Sequence, residues 1–384
     1  MVQKLIYLDY QATTPVAPEV VEVMLPYFTE DFIYPSLTNS LGRKINLAVE
    51  KSREVVAQSL NCNPNELFFT SGATESINTA IKGLFECEQN GNIVTTKIEH
   101  SAVLSTCRHL SRRGITTTYM DVEGNGLIDL QKLSDSITAD TKLVAVMEVN
   151  NEIGVIQPIK EIGEICLKKN VPLFVDAAQS YGKMNIDVQQ SNISMLAASG
   201  HKIYAPKGVG ILYVNKKIKS KLLPLLHGGG QENGFRAGTL NIPNIIGLSK
   251  AVEIATAEMQ SEQKRILTLR NLLLKLLEEK LTDIAIIGDM KNRIAGNLNI
   301  SFKDVSGDIL FNHLENVIIS KGSACNSMKN QSSHVLKAMG IPSNLIDSAI
   351  RISIGRYTTE SEIVMAAERI SKTVNKIREI SKLN

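Results

Sequence analysis

The chain reads VPLFVDAAQ over residues 171–179 and ISMLAASGHK over residues 193–202. Each stretch is a short, almost wholly apolar run that stops at a polar residue, Asp176 in the first and Ser199 in the second. Apolar runs of this length without polar alternation suit strands buried on both faces, as in parallel sheets covered by helices. Five further runs fit the same sheet, at residues 67–70, 92–96, 115–119, 142–149 and 209–214. Between them lie helical patterns. Ile45, Val49, Val56 and Leu60 share one face at helical spacing, and Asn61 with Pro64 ends that helix before the strand at 67–70. The expectation is an α/β fold whose large domain holds a mainly parallel seven-stranded sheet.

A long helical segment follows over about residues 245–281, after which strands and loops shorten. Strands are expected at 297–302 and 317–320, and helices near 306–314, 334–339 and 359–380, which suits a smaller α+β domain. The boundary is placed near residue 260, with 14–260 as the large domain and 1–13 plus 261–384 as the small one. The segment SKGSACNSMKNQSS between Ser320 and Ser333 is rich in Ser, Asn, Gly and Lys, the composition of a surface loop.

With 384 residues, 43% hydrophobic and 21% charged, the chain has the composition of a globular protein large enough for two domains. The net charge is +3, and the basic run at Lys216, Lys217, Lys219 and Lys221 has no interleaved aromatics, so nucleic acid is not an expected partner. The start, MVQKLIYLDYQ, is too short in its apolar part for a signal peptide, and no run approaches a membrane span. Five scattered cysteines without a C-x-x-C pair suggest neither disulfides nor a metal site and suit a reducing cytoplasm.

Several short segments have residue types that carry chemistry. SGATE at 71–75 opens a helix expected near Ser76, where backbone N–H groups can cradle an anion; a plain N-cap is the commoner use of such a turn. Asp176 stands at the carboxyl end of its strand, where open α/β sheets bind ligands, and can pair with a protonated ring nitrogen or simply cap a helix. Lys202 ends the next strand in Ser199-Gly200-His201-Lys202, a place where an amine can attack an aldehyde, although most lysines are surface charges. Cys325 stands in the polar loop with Lys321 nearby to favour a thiolate, whereas Cys62, Cys87, Cys107 and Cys166 sit in or beside helical patterns as small hydrophobes. Arg351, in an apolar alternating stretch, needs an anion: a substrate carboxylate or an internal acid. His100 can stack on a ring, relay protons or serve structure alone. HGGGQ at 227–231 lacks the dinucleotide spacing and suits a tight loop.

Taken together, LDYQATTPV, TSGATES, IEHSAVL, VNNEIGVIQPI, VDAAQS, SGHKIYAPKGVGILYV, HGGGQE, FRAGTLN, SKGSACNS and RISIGRYTTE resemble the cysteine desulfurases of the NifS/IscS type, which are fold-type I, class V aminotransferase-like enzymes dependent on pyridoxal phosphate. The resemblance spans nearly the whole chain. It implies that Lys202 binds the cofactor aldehyde, Asp176 holds the ring nitrogen, Gln179 meets the ring oxygen and His100 stacks on the ring. It implies further that Ala73, Thr74, Ser199 and His201 hold the phosphate, and that Thr239 reaches the phosphate of a neighbouring subunit in a homodimer. Asn151, counted also among the cofactor residues, and Arg351 would orient the substrate. Lys202 would remove the Cα proton of L-cysteine and Cys325 would take its sulfur as a persulfide, releasing L-alanine. The sulfur would pass to an acceptor protein, such as an IscU-type scaffold for iron–sulfur clusters or a tRNA-thiolation protein. Tyr34, Asn39, Lys321 and Asn326 depart from the usual family residues, and the chain stops at Asn384 without the extension used for scaffold docking, which leaves the acceptor open. A selenocysteine lyase or an aminotransferase on the same fold is the rival enzyme, and a catalytically silent scaffold the rival of another class.

Overall fold

The computed structural model describes residues 5–35, 39–86, 90–321 and 332–382. Cys87, residues 36–38 and residues 322–331, with Cys325 and Asn326 among them, lie outside the described residues. In chain order the strands are β1 Ile6–Tyr7, β2 Leu67–Thr70, β3 Asn92–Thr96, β4 Thr116–Met120, β5 Thr141–Met147, β6 Leu173–Asp176, β7 Met195–Ser199, β8 Gly210–Val214, β9 Ile284–Ile286, β10 Asn297–Phe302, β11 Val317–Ile318 and β12 Ala349–Ser353. The helices that bear on the site are α1 Ser40–Ser59, α2 Ala73–Phe85, α3 Ser101–Ser111, α4 Ile159–Lys168, α5 Ile242–Lys280, α6 His334–Ala338 and α7 Glu360–Lys382.

The seven expected strands form one sheet in the order β2-β8-β7-β6-β5-β3-β4. Only β8 opposes its neighbours, pairing antiparallel with both β7 and β2. The cause lies in the connection: the stretch between Ser199 and Gly210 is too short to hold the crossover helix that parallel pairing needs. Apolar side chains cover both faces. Phe68, Phe174 and Leu212 pack against Ile77, Ile81 and Val103 of α2 and α3 on one face. Phe69, Val175 and Tyr213 pack with Ile45, Val49 and Val56 of α1 and the first part of α5 on the other.

A second core surrounds the antiparallel sheet β12-β10-β9, where Leu298, Ile300 and Ile352 meet Ile363, Ile370 and Val374 of α7. The long helix α5 serves both cores. Its Ile245, Leu248, Ala251 and Val252 enter the first, and its Ile266, Leu269, Leu273 and Leu277 enter the second.

Several boundaries differ from those expected. The helix after the first sheet strand starts at Ala73 rather than near Ser76, because Gly72 takes φ 149°, a backbone that releases the chain straight into the first turn. The fifth strand ends at Met147 rather than residue 149, since Asn150 Oδ1 accepts from the N–H groups of Glu152 and Ile153 and turns the chain away. Ser320 leaves β11 to exchange both backbone hydrogen bonds with Arg351.

Candidate active site

The carboxyl ends of the parallel strands open on a cavity of about 480 Å³, a size typical of small-molecule sites. Asp176, at the end of β6, lies buried at its floor and accepts from the Ala178 N–H at 3.0 Å. Burial pushes its carboxyl above the usual range, opposed by the charges of His100 and Lys202. His100 is the N-cap of α3, its Nδ1 accepting from the Ala102 N–H at 3.1 Å. That bond fixes the ring and places the proton of the neutral form on Nε2. Burial holds the His100 pKa below its ordinary value, with Asp176 pulling the other way.

Lys202 sits in the short turn after β7, where its Nζ donates to the carbonyls of Gln11 at 2.7 Å and Ala12 at 2.6 Å. The Gln11 carbonyl also accepts from Gln179 Nε2 at 2.9 Å, so one backbone oxygen from the N-terminal strap ties together two predicted site residues. Beside them the first turn of α2 carries no side-chain cap, and Ala73 and Thr74 face the cavity. Ser199 is close by: a Cβ built on Gly72 would lie 3.6 Å from its Oγ. His201 contacts Thr13 Oγ1 through Nδ1 at 3.0 Å, and burial with the charges of Lys202, Lys207 and Lys183 pushes it down to about 4. It is therefore neutral at neutral pH.

Asn151 and Arg351 line the cavity from the side of the second core. Arg351 is fully buried, donating to Asp9 Oδ1 at 2.6 Å and to the Asn151 carbonyl at 2.7 Å. Of the two anions left open for it, the internal acid is the one this structure shows. Its Nε is buried without a hydrogen-bond partner. Lys321 pairs with Asp308 at 2.6 Å. Thr239 is exposed and does not line the cavity. Burial pushes the thiols of Cys62, Cys107 and Cys166 up to about 12, as suits small hydrophobes that stay protonated.

The structure adds residues that the reading of the sequence passed over. Gln11 and Thr13 reach the cavity from the strap before α1. Glu99 is buried beneath His100, takes a hydrogen bond from the Thr96 hydroxyl at 2.7 Å and is pushed up to about 8 by desolvation. His334 lines the cavity from the start of α6 and donates from Nε2 to the Glu99 carbonyl at 3.0 Å. Glu152, fully buried, accepts from the Ser333 hydroxyl. An acid directly before the candidate histidine, and an acid within VNNEIG, were the signals available.

These groups suit pyridoxal phosphate. An uncapped helix N-terminus beside a serine hydroxyl can hold its phosphate, a buried carboxylate can face its ring nitrogen, and a lysine amine can bind its aldehyde. The cavity is large enough to hold all three contacts with one ligand.

Known proteins point the same way. The family model described as aminotransferase class-V matches residues 6–365. The cysteine desulfurase IscS of Rickettsia massiliae (strain Mtu5) is 47% identical over 381 residues, covering 98% of this chain and 93% of that protein. That of Rickettsia prowazekii (strain Madrid E) is 45% identical over the same shares of the two chains. Among solved structures, a NifS-like protein aligns with a TM-score of 0.91 at 36% identity, covering 97% of this chain and 100% of its own. A structure described as SspA in complex with cysteine aligns with a TM-score of 0.82 at 39% identity, covering 92% of this chain and 99% of its own. With its sheet, its strand-end lysine and aspartate and its full-length likeness in hand, the chain belongs to the class-V aminotransferase family, among the cysteine desulfurases of the NifS/IscS type.

Proposed function

We propose that this chain removes sulfur from L-cysteine, releasing L-alanine, with pyridoxal phosphate held on Lys202. The observation that carries the reading is the meeting of Lys202, Asp176 and the uncapped start of α2 in one cavity. The cofactor, when bound, supplies an electron sink for the substrate's Cα. Asp176 would keep the ring nitrogen protonated, His100 would pack on the ring and Gln179 would meet the ring oxygen. Ala73, Thr74, Ser199 and His201 hold the phosphate, and Thr239, turned outward here, serves the phosphate of a second copy in a homodimer. Asn151 and Arg351 orient the substrate, with Arg351 Nε, buried and unpaired, as the donor left for its carboxylate.

With the cofactor bound, Lys202 would be the base that takes the proton from Cα and later returns it there. Cys325 as thiolate then attacks the substrate sulfur: the Sγ–Sγ bond forms, the Cβ–Sγ bond of the substrate breaks, and the electron pair left on Cβ is protonated to the methyl group of alanine. The persulfide on Cys325 passes to an acceptor protein, for iron–sulfur clusters or for tRNA thiolation. Among the described residues no helix is long and apolar enough to cross a membrane, and we place the enzyme in the cytoplasm. We also propose that the two cores are two domains dividing near residue 260, within the part of α5 between Ala255 and Ile266.

Cys325→Ala tests the reading. Persulfide and sulfide formation from cysteine should fall to background while the protein still binds cofactor. Continued sulfide release, or transamination of cysteine as the main activity, would replace it with an aminotransferase reading.

A further inference from the structure

The adjacent parallel strands β6 and β7 both run into turns, and each turn carries a lysine. Lys202 follows β7, and Lys183 follows β6 past Gln179. Gly182 lets the turns press together: it stands at φ 71°, and a Cβ there would come within 2.8 Å of Ile203 Cγ2 and 3.3 Å of Ala255 Cβ. Both lysines line a chamber of about 30 Å³ behind the main cavity, together with Gln11, Tyr204 and Glu262. A chain of hydrogen bonds joins their amines. Lys183 Nζ donates to Gln179 Oε1 at 3.5 Å, Gln179 Nε2 donates to the Gln11 carbonyl at 2.9 Å, and Lys202 Nζ donates to that same carbonyl at 2.7 Å.

Two ammonium groups in a chamber that admits so little water repel each other with little screening. Facing Lys202 are Asp176, Asp9, His100, His201 and Lys183. Facing Lys183 are Lys202, His201, Glu262 of α5 and Arg351 of β12. Arg351 is already matched to Asp9, and Glu262 to Arg356 at 2.6 Å. Burial and the Lys202 charge push Lys183 down to about 7.

Resting on the reading of Lys202 given above, we propose that Lys183 is a positioning residue for it: at neutral pH the pair carries one proton between them. When Lys202 is needed as a free amine, to take up the cofactor aldehyde or to accept the Cα proton, the shared proton leaves Lys202 Nζ and ends on Lys183 Nζ. The net charge of the chamber does not change.

The test follows uptake of pyridoxal phosphate by the full-length, cofactor-stripped protein, read by visible absorbance against pH. In the wild type the proton-sharing form is dominant above about pH 7, so the uptake rate should level off there. In Lys183→Met the proton has no second seat. Its rate should climb about tenfold per pH unit through the same range and lie at least about tenfold below wild type near pH 7.5. Lys183→Arg, which keeps a cation beside Lys202, should not be slower than wild type at neutral pH. A folded Lys183→Met whose profile overlays the wild type overturns the inference; should that variant fail to fold by circular dichroism, Lys183→Gln is judged by the same profile. Failure of the wild type to take up cofactor, or equal uptake by Lys202→Ala, would instead overturn the reading of Lys202 itself.

Discussion

At Glu99 the fold keeps an acid protonated where water would ionise it. Its carboxyl is fully buried and takes a hydrogen bond from Thr96, and among the described residues its Oε2 has no partner. Desolvation raises it from an ordinary value of 4.5 to about 8, with the Asp176 charge adding to the rise. The folded state therefore binds a proton that the unfolded chain lacks between those values. The contribution is full below the unfolded value and is lost as pH rises through the folded one. Glu99→Gln, which imitates the protonated acid, should flatten that loss, recovering on the order of a few kcal/mol near pH 8 relative to wild type. Urea titrations at pH 5 and pH 8 check it; an unchanged pH dependence would mean that Glu99 is ionised in the fold. At this scale Lys202, Asp176 and Ser199 were legible because strand ends mark them directly. Glu152 and Gln11 were not, because their partners come from segments distant in the chain, Ser333 for Glu152 and Lys202 for Gln11; nor was Glu99, whose nearby partner Thr96 gives no sign of its burial.

At the scale of elements, the start of α2 depends on two glycines back to back. A Cβ on Gly210 of β8 would lie 2.5 Å from Gly72 Cα and 2.6 Å from the Ala198 carbonyl. None of these atoms can swing aside as a side chain would. Gly210→Ala should therefore push α2 away from β7, lowering stability by about 1–3 kcal/mol and weakening cofactor binding more than it weakens the fold. Denaturation midpoints and a cofactor titration separate the two effects; an unchanged cofactor affinity would show that the α2 start does not hold the phosphate. The buried strands themselves were legible from their apolar runs. The reversed direction of β8 was not, since it follows from the shortness of the 200–209 connection rather than from any residue in the strand. The edges of the small sheet were also hidden: Ile284–Ile286 is partly exposed and too short for a period to show.

At the scale of the whole molecule, the site is assembled where two cores meet. The sheet ends supply Lys202, Asp176 and His100, while β12 supplies Arg351 and α6 supplies His334. The N-terminal strap crosses between them: Leu8 lies in the second core, Tyr10 in the first, and Asp9 pairs with Arg351. The change in texture after the long helix could be read from the sequence. The pairing of Arg351 with Asp9 could not, because the two alternatives for its anion look alike until the strap is placed. The central claim is that these parts act together on cysteine, and it is tested by incubating the purified full-length protein, loaded with pyridoxal phosphate, with L-cysteine and measuring alanine and protein-bound persulfide. Alanine should be released with a matching persulfide on Cys325, both abolished in Lys202→Ala; no alanine from the wild type, or alanine undiminished in Lys202→Ala, would overturn the desulfurase reading.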